Sequence, residues 1–310
     1  MENQTTKLGR RTLLKSAAAA AVAATAATRA SAQAPAAEPV TTLTDVPLAA
    51  GTTVTVERRG QVVLVGLNRP FIQNRIDPPT RLRLGEVLYQ YEHDPTLRAL
   101  VLFGHGPNFS RGIDVDASQA GIISGRRETT PAPTLDLNGN SQPRRTKPMV
   151  VVVHGDTWNL GHEIYLAGDI RIAAADTRFG QDENARGRFP GGGATVRFVR
   201  EAGWANAMRY MLTGEHWGAD DAFRMGVVQK ILPTPAEALR AGVETAERIA
   251  ACGPLGIKAT LASAHLAIAA SEGEAFSRLE SQYRSLYATE DFKEGRRAEA
   301  EERAPNFLGK

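Results

Sequence analysis

Glu163 and Glu183 are the residues of this chain whose type and surroundings best suit chemistry. Glu163 lies just after Gly161 in HGDTWNLGHEIYLAGDIRIA, residues 154–173, which follows directly on the apolar run MVVVV. The stretch reads as strand, glycine-bearing turn, short helix and second strand, where a carboxylate is costly to desolvate. Glu183 lies in FGQDENARGRFPGGGATVR, a polar loop leading to the glycine cluster Gly191, Gly192 and Gly193. Two carboxylates gathered at one site can divide acid and base work, provided their surroundings separate their pKa values. Amides at a helix start or in a glycine-rich turn can hold an oxyanion beside them. Plainer readings stay open: Glu163 as a helix-start charge favoured by the helix dipole, and Glu183 as a solvated loop residue.

Other chemistries fit less well. His154, His162, Glu163 and Asp169 are not spaced as HExxH, and no three of them converge by helical periodicity, so no metal is expected. Each histidine reads as a hydrogen-bonded structural residue. Ser110, in NFSRG, lacks the glycine pattern of a nucleophile elbow. FPGGGATVR lacks the Lys-Ser/Thr pair of a nucleotide-binding loop and reads instead as an anion-friendly turn at a helix start. The one cysteine, Cys252, excludes an internal disulfide and a cysteine metal cluster and reads as an inert helix residue. A formal charge of +3 with evenly spread basic residues argues against a nucleic-acid partner.

The elements that must position the two acids follow from pattern. With 310 residues, 42% hydrophobic and 23% charged, the chain has the balance of a soluble globular protein. TVTVERRGQVVLVGLN reads as a hairpin turning at ERRG. TRLRLGEVLYQYEHD reads as a helix with Leu82, Val87, Leu88 and Tyr91 at helical spacing, and LRALVLFGHG as an apolar strand. Residues 117–147 read as an irregular insertion. MVVVV and DIRIAA read as strands, GWANAMRYMLTG and ADDAFRMG as helices, and VVQKIL as a strand. From Pro233 onward AEALRAGVETAERIAA, LGIKATLASAHLAIAA and EAFSRLESQYRSLYA read as three successive helices. The alternation predicts an α/β domain with parallel pairing, its wholly apolar strands covered on both faces.

The N-terminus carries a different signal. GRRTLLKSAAAAAVAATAATRASAQA joins Arg10 and Arg11 to an alanine-rich, weakly apolar run ending in small residues before Gln33. It reads as a twin-arginine export signal over residues 1–32, too short and too weakly apolar to span a membrane. Residues 33–53 then read as a linker, 54–232 as the core and 233–310 as a helical region. The expected location is periplasmic or secreted, and cytoplasmic if the signal is not used.

From about Val54 to its end the chain resembles the enoyl-CoA hydratase/isomerase (crotonase) superfamily. The resemblance rests on LNRP at 67–70, GPNFSRGIDV at 106–115, KPMVVVVHG at 147–155, GHEIYLAGDIRIAAADTRFGQ at 161–181 and GRFPGGGATVR at 187–197, all in the family's order. LTGEHWGADDAFRMGVVQKI at 212–231 and DFKEGRRAEAEERAPNF at 291–307 extend it. It implies a spiral of ββα units with a helical C-terminal region, assembled as a homotrimer or hexamer. It also implies that Glu163 and Glu183 are the two catalytic glutamates, handling the protons of one water that adds across a 2-enoyl thioester. The enolate-like thioester oxygen would be held by the backbone N–H groups of Ile113 and Leu160. No cofactor is implied beyond CoA as the carrier of the substrate.

The chain departs from the family at three places. Leu160 replaces a glycine of the triplet before the first glutamate, Gln73 stands where a basic residue helps hold the CoA phosphates, and Asp182 replaces a proline. The Gln73 change and the export signal point to an alternative, a CoA-independent enzyme of the same fold that hydrolyses a carbon–carbon bond in a β-diketone. A further alternative is a catalytically silent scaffold that binds a ligand or partner, although such a protein has no need of two acids. Lys258, in the C-terminal helices, is the candidate for restoring a basic contact to CoA, from its own or a neighbouring subunit.

Overall fold

The computed structural model describes residues 51–124 and 133–309. The export signal expected over residues 1–32, and the linker up to residue 50, lie outside the described residues. In chain order the first elements are β1 (Val54–Arg59), β2 (Val62–Leu67), α1 (Pro78–His93), β3 (Ala99–Gly104) and α2 (Val115–Ser124). Next come β4 (Met149–Val153), β5 (Asp156–Trp158), α3 (Leu160–Leu166), β6 (Ile170–Ala174) and β7 (Arg178–Gly180). After these run α4 (Ala194–Ala202), α5 (Trp204–Thr213), β8 (Trp217–Gly218), α6 (Ala219–Arg224) and β9 (Lys230–Leu232). The chain closes with α7 (Pro235–Ala250), α8 (Pro254–Tyr287) and α9 (Glu290–Ala300).

The strands form a six-stranded sheet in the order β1-β2-β3-β4-β6-β9 and a three-stranded sheet in the order β5-β7-β8. The β1–β2 hairpin is antiparallel, with Val54 opposite Leu67, and every later pairing in the large sheet is parallel. β2, β3 and β4 are buried along their whole length because each face has its own cover. Val63, Val65, Leu100, Leu102, Met149 and Val151 point into the core beneath α1 and α3. Their neighbours in sequence, Val62, Leu64, Val101, Val150 and Val152, meet Ala238, Leu239, Ala241 and Ala246 of α7 on the opposite face. A Cβ at Gly242 would stand 2.3 Å from a methyl of Val152, so the small residues of α7 are what let it lie close on the sheet. This α/β architecture, closed by a helical C-terminal region, is the one the resemblance implied.

Caps explain where the helices start. Asp77 accepts from Thr80 N at 2.9 Å with Pro78 and Pro79 in the first turn of α1. Thr234 Oγ1 accepts from Glu237 N and donates to Glu237 Oε2 at the start of α7. Thr289 accepts from Phe292 N at the start of α9.

The structure corrects several expectations. The two helices expected across LGIKATLASAHLAIAA and EAFSRLESQYRSLYA are the single 34-residue α8. Gly273 lies inside it. An interior glycine costs only about 1 kcal/mol, and it ends a helix only where it turns left-handed. Residues 117–124 belong to α2 rather than to an irregular insertion. Leu84, not Leu82, fills the core position on α1, and Leu82 is left half-buried. Strand pairing in VVQKIL is confined to Lys230–Leu232, while Val227 and Val228 pack into the core. Cys252 is exposed just past the end of α7 instead of lying within a helix. Among the described residues, no helix is long and apolar enough to cross a membrane.

Candidate active site

Glu163 lies on the first turn of α3, a seven-residue helix with every residue buried. The glycine cluster explains how a carboxylate is tolerated there. Gly193 caps α4, and the Ala194 amide donates to Glu163 Oε1 at 3.2 Å, so the carboxylate occupies the N-terminus of α4. A Cβ at Gly192 would lie 2.2 Å from Glu163 Oε2, so any larger residue there would have to displace the carboxylate. The anion suited to the FPGGGATVR turn is therefore the chain's own side chain. Burial raises the Glu163 pKa, and the Ala194 and Gly192 amides and Arg197 offset only part of that rise.

Glu183 lies on the loop after β7 and is buried, not solvated. Its support comes from side chains. Gln181 Nε2 donates to both carboxylate oxygens, at 3.0 and 3.1 Å, while Gln181 Oε1 meets His162 Nδ1 at 2.5 Å. Burial drives the His162 pKa down to about 4, so the ring is neutral at ordinary pH. With the proton on Nδ1 it donates to Gln181, which fixes the glutamine's amide facing Glu183. His162 thus has the structural role expected of it, packed edge-on against the stacked rings of Phe198 and Trp217 at 5.0 and 5.1 Å. The Glu183 pKa is raised strongly, first by burial and then by the charge of Glu163. The structure brings the two acids into one electrostatic unit.

Ile113 and Leu160 line the same cavity as the two acids. Ile76 N donates to Gly112 O at 2.8 Å and Asp114 N to Ile76 O at 2.9 Å. In such an extended pairing successive amides face opposite edges, so Ile113 N–H points away from Ile76. On that far side, a Cβ at Gly112, whose φ is +92°, would stand 3.1 Å from Leu160 N. Leu160 opens α3, where an amide has no partner within the helix. Ser110, buried beneath them, donates from Oγ to Asn74 O and accepts from Gly112 N. It is a brace for this turn.

Asp182 has a clear partner in Asn159. Asn159 precedes Leu160 with φ 54° and ψ −123°, a conformation costing roughly 1–3 kcal/mol outside glycine. It is held by a reciprocal pair: Asn159 Nδ2 donates to Asp182 Oδ1 at 2.8 Å, and Asp182 N donates to Asn159 Oδ1 at 2.9 Å. Burial alone would raise the Asp182 pKa. Hydrogen bonds from His216, Arg186 and Asn159 instead hold it well below the ordinary carboxylate range.

Glu163, Glu183, Ile113 and Leu160 all line one cavity of about 1380 Å³. The described part of 133–147 forms one wall of it, organised by Asp136, which accepts from the Asn138, Asn140 and Ser141 amides. Phe276, Leu279, Tyr283 and Tyr287 of α8 form another wall. Gln73 is half-buried outside the lining, and Lys258 is exposed on α8, also outside the lining of its own chain. Sequence reasoning missed the arginines that do line it, among them Arg75, Arg81, Arg111 and Arg188. Arg75 stands only two residues beyond Gln73, so a search for any nearby base would have found it. Among the described residues, no group of three or more His, Cys, Asp or Glu side chains is arranged to hold a metal ion.

The family model described as enoyl-CoA hydratase/isomerase matches residues 57–310. An enoyl-CoA hydratase of Mycobacterium tuberculosis is 34% identical over 257 residues, covering 81% of this chain and 95% of that protein. The (E)-benzylidenesuccinyl-CoA hydratase of Thauera aromatica is 34% identical over 268 residues, covering 83% of this chain and 99% of that protein. Among solved structures, carnitinyl-CoA hydratase from Mycobacterium avium superposes with a TM-score of 0.73 at 29% identity, covering 83% of this chain and 99% of that one.

Proposed function

The chain belongs to the enoyl-CoA hydratase/isomerase family, and from that premise we propose that it adds water across the double bond of a 2-enoyl thioester carried on CoA. The observation that carries the proposal is the pair of buried carboxylates, both with raised pKa, that line one cavity with Ile113 and Leu160. The thioester oxygen accepts from Ile113 N–H and Leu160 N–H, which stabilise negative charge as it builds there. Leu160 serves because the donor is its backbone, which a side chain in place of glycine leaves intact.

The environments assign the two acids. Glu163, its pKa raised by burial to about 7 but partly offset by the amides at the start of α4, is the more readily ionised of the two and serves as the base. It takes a proton from water as the water oxygen bonds to Cβ, and the double-bond electrons move to the thioester as an enolate. Glu183, whose charged form is opposed by both burial and Glu163, is the one held protonated. It gives its proton to Cα as the enolate collapses, so H and OH have been added and a proton shuffle through water restores the pair. Expectation and assay are direct: the chain should consume crotonyl-CoA, followed by loss of enoyl-thioester absorbance, with 3-hydroxybutyryl-CoA as product. No consumption of this or longer enoyl thioesters would sink the proposal and favour a CoA-free β-diketone. The proposal includes a homotrimer or hexamer, supported by the exposed Leu255 and Leu266 on α8. A monomeric mass in sedimentation at micromolar concentration would contradict that part.

A further inference from the structure

Among the described residues of the cavity wall, Arg188 is a largely buried cation held by one long ion pair and by no side-chain hydrogen bond. It is 8% exposed, lines the cavity, and its guanidinium donates no hydrogen bond to any described residue. The nearest counter-charge is Glu299 Oε1 at 3.6 Å, beyond hydrogen-bond range. That carboxylate is already taken: Arg186 holds Oε1 at 2.6 Å and Arg296 holds Oε2 at 2.8 Å. Arg186 and Arg296 have second partners in Asp182 and Asp116. Arg188 has none. Its other acidic neighbour is Glu183, which the proposed chemistry keeps protonated for part of each cycle.

A guanidinium so placed keeps donors that its one long, shared ion pair does not use, and its planar fork matches a carboxylate bidentately. The geometry points to a carboxylate subsite: the acyl group of the substrate carries a second carboxylate, within a few bonds of the reacting double bond, that pairs with Arg188. This rests on the thioester reading above and narrows it to dicarboxylic enoyl thioesters. The backbones of the two residues are tied together, since Arg188 N donates to Glu183 O at 2.8 Å. The same anchor that places the acid therefore places the base that would read the substrate.

The test uses saturated thioesters, which bind without reacting. Binding of glutaryl-CoA and adipoyl-CoA to the full chain is compared by calorimetry with pentanoyl-CoA and hexanoyl-CoA, which have the same lengths without the carboxylate. A charge-assisted bidentate pair predicts roughly 100-fold tighter binding of the dicarboxylic members. Arg188→Met should abolish that preference, and Arg188→Lys should keep part of it. Equal affinity of the wild-type chain for both series would overturn the subsite while leaving the hydratase proposal standing, and this arm does not depend on any variant folding. Equal weakening of all four ligands by Arg188→Met would assign Arg188 to a CoA phosphate and overturn it as well. Preference in binding without turnover of any enoyl thioester would instead support the subsite against the hydratase mechanism. Binding of none of the four would overturn both.

Discussion

The corners around Glu163 and Glu183 solve one problem by different means. Glu163 is held by backbone: a short buried helix, a glycine-permitted approach and the amide opening α4. Glu183 is held by side chains: Gln181, the neutral His162 behind it, and the arginine cluster that α9 helps to order. Backbone support favours the anion and side-chain support with burial leaves the acid. The contrast teaches that two identical residues divide labour through what surrounds them, which is why removing either should be nearly as damaging as removing both.

The largest effect expected from breaking the contrast is therefore Glu163→Gln or Glu183→Gln. Each should lower kcat on an enoyl thioester by ~10³-fold with the fold retained, since proton transfer by one placed group is worth about 10²–10⁴. Steady-state kinetics beside circular dichroism would check this, and a variant with full activity would remove the paired-acid scheme.

Smaller and confined to the backbone-held corner is Gly192→Ala. Its Cβ would enter the space of Glu163 Oε2, so kcat should fall by roughly 10–100-fold, with a stability loss of about 1–3 kcal/mol from overpacking. Glycine-like activity at that position would show that the carboxylate is not held where the structure places it.

Smaller again is Asp182→Ala, which frees Asn159 from its strained conformation and lets Leu160 N–H wander. We expect about a 10-fold loss in kcat with KM little changed, and recovery of activity when Asn159→Gly is added. A double variant no better than the single would dissociate Asp182 from the amide. Because the folded pKa of Asp182 is depressed, its contribution to stability is present above the unfolded carboxylate pKa and lost as pH falls.

The two glutamates have the opposite linkage. Their folded pKa values are raised, so the native state binds more protons than the unfolded chain above about pH 4.5, and stability falls as pH climbs through that window. Denaturant titrations should find the double glutamine variant more stable than wild type at neutral pH, with the gap closing near pH 4. A gap independent of pH would mean that neither carboxylate is desolvated.

How much of this was legible depended on range. The apolar runs of β2, β3 and β4 and the Gly191–Gly193 turn are local patterns, and they showed in the sequence. So did Glu163, between a glycine and an apolar helix face. What was not legible rests on contacts between distant positions: Asn159 answering Asp182, His162 behind Gln181, and Arg186 reaching Glu299 across 113 positions. The continuity of α8 through Gly273 was hidden for the opposite reason, because a local breaker signal is overridden along a long helix.

The most direct test of the central claim, one buried acid ionised and its neighbour protonated, is the pH dependence of kcat/KM for crotonyl-CoA in wild type and in each glutamine variant. The account predicts a bell for wild type, reporting the pair as a unit. In the residual activity the acid-side limb should vanish with Glu163→Gln and the alkaline limb with Glu183→Gln. Profiles of unchanged shape in both variants would contradict it.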